Sequence, residues 1–210
     1  MTKVKICGLM ELEHVKVAVD SGANAIGFIF AKSRRQITLE QAKFLATAVP
    51  NDVLKIGVFV NESIEEVTRI AQEVPLDVVQ LHGDESPDYA RNVSFPTIKA
   101  LSITNEEDVK RASEYEVDYF LFDAPGVEYR GGSGHSFDWS LLEKSNIPSD
   151  KVILAGGLTA SNIKEAIYTV KPFMVDVSSG VETEKRKDAG KIRTFIRAVR
   201  EEENEHADNL

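Results

Sequence analysis

The stretch LKIGVFV, Leu54–Val60, decides how the chain is read. It is short, almost wholly apolar and rich in Val, Ile and Phe, without the apolar-polar alternation of a half-exposed strand. Such a run fits a strand buried on both faces, as in a parallel sheet covered by helices. Working outward, the same character returns in AIGFIF (Ala25–Phe30) and LDVVQL (Leu76–Leu81). Beyond them lie VKIC (Val4–Cys7), TIKAL (Thr97–Leu101), YFLFD (Tyr119–Asp123), KVILA (Lys151–Ala155) and FMVDV (Phe173–Val177). The runs number eight.

Between them lie segments of helical spacing with start signals. Thr38 with Gln41, Asn61 and Ser63 before IEEV, Thr104 before NEEDV, and Thr159 before ASNI each offer an N-cap side chain with acidic or amide residues in the first turn. Strand follows strand at about 25 residues, the length of a βα unit, and eight units fill residues 1–210 with no linker. This predicts a single α/β domain folded as a closed (β/α)8 TIM barrel, with an open doubly wound sheet as the alternative. The glycine-rich VEYRGGSGHSF (Val127–Phe137) reads as a long loop, and residues 201–210 as a frayed acidic tail to the last helix.

Composition narrows the function. A net charge of −9 argues against nucleic-acid or anionic-membrane partners, which need clustered Lys and Arg. One cysteine excludes an internal disulfide, and no leader or membrane-spanning run is evident, so a cytoplasmic protein is expected. A small anionic ligand remains open, because a few donors inside a pocket suffice for it. The oligomeric state is expected to be a monomer or a homodimer.

Active sites of a barrel stand at the C-terminal strand ends, which directs attention to the last residue of each run. Cys7 precedes Gly8 there. It reads as a small buried hydrophobe or, at a barrel mouth, as a base or nucleophile with a lowered pKa. Asp123 caps a loop or pairs with Arg130, or else is a general acid whose carboxyl is kept protonated by its apolar strand. Gly156-Gly157 and Ser178-Ser179-Gly180 form either tight turns or a phosphate cradle on adjacent strands. Lys32, Arg34 and Arg35 form a solvated loop or the holder of a second anion, since a guanidinium matches a carboxylate with two parallel bonds. Gln80, His82 and Asp176 complete the rim, with His82 read as supporting. His14, His135 and His206 fall on a helix, a loop and the tail, and no pair of them makes a metal-ligand spacing.

Seven motifs in order, KICG (Lys5–Gly8), GFIF with KSRR (Gly27–Arg35), GVFVN (Gly57–Asn61), QLHGDE (Gln80–Glu85), GGSGHSFDW (Gly131–Trp139), LAGGL (Leu154–Leu158) and DVSSGVE (Asp176–Glu182), closely resemble those of the phosphoribosylanthranilate isomerases. The resemblance runs from about Lys3 to Arg200. It implies a (β/α)8 barrel catalysing an Amadori rearrangement on a small phosphosugar, without metal or organic cofactor. By motif, Cys7 is the general base and Asp123 the general acid. Gly156, Gly157, Ser179 and Gly180 fall to the phosphate and Arg35 to the anthranilate carboxylate; Gln80, His82 and Asp176, on the same rim, are expected substrate contacts. These roles ask for an ionised Cys7 and a neutral Asp123, and the loop Gly131–Gly134 is expected to close over substrate. The alternatives are another phosphosugar isomerase or epimerase on the same barrel, and a non-catalytic phosphometabolite-binding barrel.

Overall fold

Each of the eight apolar runs forms a strand. The computed structural model describes residues 1–124, 138–143 and 147–207. Strands β1 (Lys3–Cys7), β2 (Ala25–Ile29), β3 (Leu54–Phe59), β4 (Val78–Leu81), β5 (Thr97–Ser102), β6 (Tyr119–Asp123), β7 (Val152–Leu154) and β8 (Met174–Val177) pair in chain order, all parallel. β8 then pairs with β1 and closes the barrel, which leaves the barrel sheet without an edge. The helices are α1 (Leu12–Asp20), α2 (Leu39–Ala46), α3 (Ile64–Glu73), α4 (Pro87–Arg91), α5 (Glu106–Arg111), α6 (Ser140–Glu143), α7 (Ile163–Val170) and α8 (Ala189–Ala207). Among the described residues no helix is long and apolar enough to cross a membrane.

Start signals place the helices to within a few residues. Thr38 caps α2 by accepting from the Gln41 amide at 3.2 Å, and Ser63, rather than Asn61, caps α3 by accepting from Glu66. For α5 the cap is Asn105, one residue past Thr104, in a reciprocal capping box with Asp108. The α7 cap position falls to Asn162, whose Oδ1 accepts from the Thr159 amide at 2.8 Å. The glycine-rich stretch, with Gly131–Gly134, Arg130 and His135, lies outside the described residues. The acidic end continues the backbone of α8 as far as Ala207.

The pleat divides the apolar side chains into two cores. One lies between barrel and helices. The other, inside the barrel, contains Ala25, Ile56, Val78, Ile98, Ala100, Leu121, Ile153 and Met174. Because alternate residues of a strand share a face, Gln80 stands above Val78, Asp123 above Leu121 and Asp176 above Met174. The interior thus changes from apolar to polar toward the C-terminal strand ends. After β8 come a 3-10 turn (Ser179–Val181) and a small hairpin, β9 (Glu182–Thr183) with β10 (Arg186–Lys187), which lead into α8.

Candidate active site

The polar layer begins with a buried ammonium. Lys5, fully buried on β1, donates to Gln80 Oε1 at 2.7 Å, to Asp176 Oδ2 at 3.0 Å and to Cys7 Sγ at 3.5 Å. Register explains the meeting: Lys5 is paired with Asp176 across β1–β8, and Cys7 lies two residues along the same strand face. Beside Cys7 in β2 is Gly27, where a Cβ would stand 2.7 Å from Sγ and 3.1 Å from Lys5 Cε. The missing side chain makes room for the thiol. Gly8 follows with φ +75°, and the Arg35 side chain passes over it, its Cδ 2.6 Å from where a Cβ would be. Only glycine combines that backbone conformation with that approach.

Cys7 differs from expectation in its charge. Burial pushes its thiol up, and the Asp176 carboxylate adds to the shift, while Lys5 and Lys187 pull against it. The neutral thiol is therefore favoured, rather than the ionised one asked for. Burial alone would lower the Lys5 ammonium, but Asp176 and Cys7 more than compensate and hold it raised. The other oxygen of Asp176, Oδ1, is buried and, among the described residues, without a hydrogen-bond partner.

Across the mouth, Gln80 Nε2 lies 2.9 Å from His82 Nδ1, and His82 Nε2 lies 3.4 Å from Asp123 Oδ2. Asp123 and His82 are each about one-third exposed, open to a ligand from above. Asp123 Oδ1 lies on the opposite side, next to Gly156, where a Cβ would approach it to 2.8 Å.

The two glycine loops come together. Gly156 and Gly157 have φ of +80° and +63°, and a Cβ on Gly180 would overlap the Leu158 carbonyl oxygen, so the β8 loop packs directly on the β7 loop. Asn162 Nδ2 donates to the Gly157 carbonyl at 3.1 Å, and Ser179 opens the 3-10 turn beside it.

Arg35 reaches the same rim but is partnered. Its Nε and Nη2 donate to Glu182 Oε1 and Oε2 at 2.6 and 3.1 Å, and Arg34 Nη2 adds a 2.6 Å bond to Oε2. Lys187 donates to Glu182 Oε1 at 3.1 Å and to the Ser178 carbonyl at 2.7 Å, while Ser178 Oγ donates to the Cys7 carbonyl at 3.2 Å. Burial opposes the charge of Glu182. The Arg35 bonds, the Lys187 charge and the Arg34 contact outweigh it and hold the carboxyl down at about 2. Three cations surround one carboxylate, so the cluster keeps a positive surplus, and Arg35 Nη1 has no partner among the described residues. Lys32 stays in the exposed part of the loop.

The sequence-predicted residues Cys7, Gln80, His82, Asp123 and Asp176 thus meet at one mouth, with Gly156, Gly157, Ser179, Gly180 and Arg35 on its rim. Sequence reasoning missed Lys5, Gly27, Glu182 and Lys187. Lys5 was legible, since a lysine two residues before Cys7 in an apolar strand must share its face; Lys187 had no signal, because its place depends on the β9–β10 hairpin. Among the described residues no group of three or more His, Cys, Asp or Glu is arranged to hold a metal ion.

The chain is similar to known proteins over almost its whole length. Residues 4–198 match the family model described as N-(5'-phosphoribosyl)anthranilate isomerase. A Bacillus cereus protein named N-(5'-phosphoribosyl)anthranilate isomerase is 54% identical over 197 residues, covering 92% of this chain and 96% of that one. The crystal structure of phosphoribosyl anthranilate isomerase from Thermotoga maritima is similar with a TM-score of 0.85 and 39% identity, over 96% of this chain and all of that one. A second, in complex with reduced 1-(o-carboxyphenylamino)-1-deoxyribulose 5-phosphate, has a TM-score of 0.81 and 37% identity over the same shares.

Proposed function

The chain belongs to the N-(5'-phosphoribosyl)anthranilate isomerase family, and from that premise we propose how its barrel mouth performs the family's reaction, the Amadori rearrangement of N-(5'-phosphoribosyl)anthranilate to 1-(2-carboxyphenylamino)-1-deoxyribulose 5-phosphate in tryptophan biosynthesis. The observation that carries the assignment is the unbroken string of polar contacts from Cys7 through Lys5, Gln80 and His82 to Asp123, which spans the mouth.

Asp123, at the exposed end of that string, protonates the ribose ring oxygen. The furanose opens to an iminium ion, which acidifies the proton on C2. Cys7 removes that proton as the thiolate, and the resulting enolamine tautomerises to the ketone. Burial favours the neutral thiol in the free protein; the iminium that makes C2 acidic is a new cation near Sγ, which joins Lys5 and Lys187 in favouring the thiolate, and the thiol proton leaves to bulk water through the open mouth before C2 is deprotonated. The orphaned Asp176 Oδ1 accepts a sugar hydroxyl. The phosphate lies on the loops of Gly156, Gly157, Ser179 and Gly180, and the anthranilate carboxylate on Arg35 Nη1, with Glu182 holding the guanidinium plane. Anchors at both ends hold C2 against the sulfur and convert binding energy into orientation.

The test is turnover of freshly generated phosphoribosylanthranilate, followed by loss of anthranilate-type fluorescence. Removing a general acid or base costs about 10²–10⁴-fold. Cys7→Ala and Asp123→Asn are each expected to lose that much kcat while retaining product binding. A loss below about tenfold in either variant removes that residue's role.

A further inference from the structure

We infer that Lys5 is a positioning residue that sets the hydrogen-bonding state of both reacting groups, holding Cys7 through its charge and Asp123 through the orientation of Gln80 and His82. This rests on the acid and base assignments above.

An ammonium only donates, and the three hydrogens of Lys5 have three acceptors, Cys7 Sγ, Gln80 Oε1 and Asp176 Oδ2. Gln80 must therefore turn its carbonyl oxygen toward Lys5 and its amide nitrogen toward His82. That nitrogen only donates, so His82 Nδ1 is the acceptor at 2.9 Å and the neutral imidazole carries its hydrogen on Nε2. Nε2–H faces Asp123 Oδ2. The 3.4 Å contact is an ion-pair distance and not a formed hydrogen bond, but it turns Oδ2 toward a donor and leaves Oδ1, on the Gly156 side of the mouth, as the oxygen for the transferable proton. One fixed donor on β1 thus propagates through two side chains to the far wall.

On the near wall the same ammonium is the counter-charge for the sulfur. The charged groups facing Cys7 are Lys5 on its own strand, Asp176 from β8 and Lys187 from β10. Lys5 is the cation hydrogen-bonded to Sγ. Gly27, from β2, leaves the space in which thiol and lysine stem lie side by side.

Two measurements independent of turnover test this. The first is the 15N spectrum of His82, assigned against His82→Asn, where a ring nitrogen without hydrogen resonates well downfield of one that carries it. The wild type is expected to show the Nε2–H form. Gln80→Glu, which can only accept, is expected to shift hydrogen onto Nδ1. An Nδ1–H form in the wild type, or an unchanged spectrum in Gln80→Glu, overturns the orientation argument. The second uses Cys7, the only cysteine, as its own reporter through the pH profile of alkylation by iodoacetamide. Lys5→Met alone strands the Asp176 carboxylate, so Lys5→Met/Asp176→Asn is compared with Asp176→Asn. Alkylation at neutral pH is expected to slow by about tenfold or more, one decade per unit of upward pKa shift, and Lys5→Arg/Asp176→Asn to recover part of it. Equal rates with and without Lys5 overturn the charge argument. Neither readout uses substrate. A wild type that fails to turn over phosphoribosylanthranilate would remove the acid and base assignments, while an unmoved spectrum and alkylation profile would remove Lys5 alone.

Discussion

Arg35 already has two of its nitrogens on Glu182, and the contact proposed for the substrate carboxylate falls to the third. Arg35→Met is therefore expected to raise KM by about 10–100-fold with a much smaller change in kcat, since the anchor holds ground state and transition state alike. Steady-state kinetics decides it, and an unchanged KM would place the carboxylate elsewhere. Glu182 gives a prediction in pH. Unfolded, its carboxyl titrates near the ordinary value of about 4.3; folded, it is held down at about 2. The folded state thus binds fewer protons between these values. Its contribution to stability is whole above about pH 5 and is lost as pH falls through 2. Urea midpoints at pH 6 and pH 3 should lie closer together in Glu182→Gln than in the wild type; an equal fall in both would assign the acid sensitivity to other carboxylates. At this scale the sequence was legible in position, where a polar residue closes an apolar strand, as for Cys7 and Asp123, which the barrel brings to one mouth. It was not legible where a role depends on a partner far along the chain. Glu182 lies inside a motif quoted for other reasons, and only the folded rim places it against Arg34 and Arg35.

The β9–β10 hairpin carries the clearest mismatch between local sequence and local structure. Its two-residue turn, Glu184-Lys185, has φ of +50° and +66°. A turn with both central residues left-handed favours Asn-Gly, and Glu-Lys pays in backbone strain. Nothing in TEKR announces a hairpin, which is why it and Lys187 escaped a reading built on turn residues. The segment is held from outside: Arg34 donates to the Lys185 carbonyl at 2.7 Å and Lys191 to the Glu182 carbonyl at 2.6 Å. Glu184→Asn/Lys185→Gly keeps both bonds and relieves the strain, so stability should rise by about 1 kcal/mol and Tm by about 2–4 °C. Calorimetry checks this, and a fall in Tm would mean that the two side chains contribute more than their conformations cost. Helix starts were more legible, because a cap is a local bond. Thr38 and Ser63 stood where their spacing placed them, and α5 slipped by one residue only because Asn105 competes with Thr104 for the same amides.

Considered whole, the molecule separates chemistry from stability by face. At the N-terminal ends of the strands, Arg200 of α8 donates to the Thr2 carbonyl at 2.9 Å, the Gly22 carbonyl at 3.1 Å and Asn24 Oδ1 at 2.9 Å, joining the last helix to the first two strands. Asn24 Oδ1 also accepts from the Val4 amide at 2.9 Å. Arg200→Met is expected to cost about 1–3 kcal/mol by denaturant unfolding and to leave kcat within about twofold, because the face of the barrel opposite the mouth serves folding. A large loss of kcat in the folded variant would show that the two faces are coupled. The barrel itself was legible from the count and spacing of apolar runs, since strands covered on both sides have to be apolar throughout. The closing pair had to be inferred, because no residue in β1 or β8 advertises its neighbour. That closure orders events in time. Lys5 and Asp176 are 171 positions apart, so at a synthesis rate of about 5–20 residues per second the nascent chain carries Lys5 for on the order of ten seconds or more before its partner exists. During that interval the first strand has an open flank and its lysine stays in water. The reactive mouth is assembled last, and a polypeptide released by the ribosome before β8 would have neither a sealed sheet nor a site.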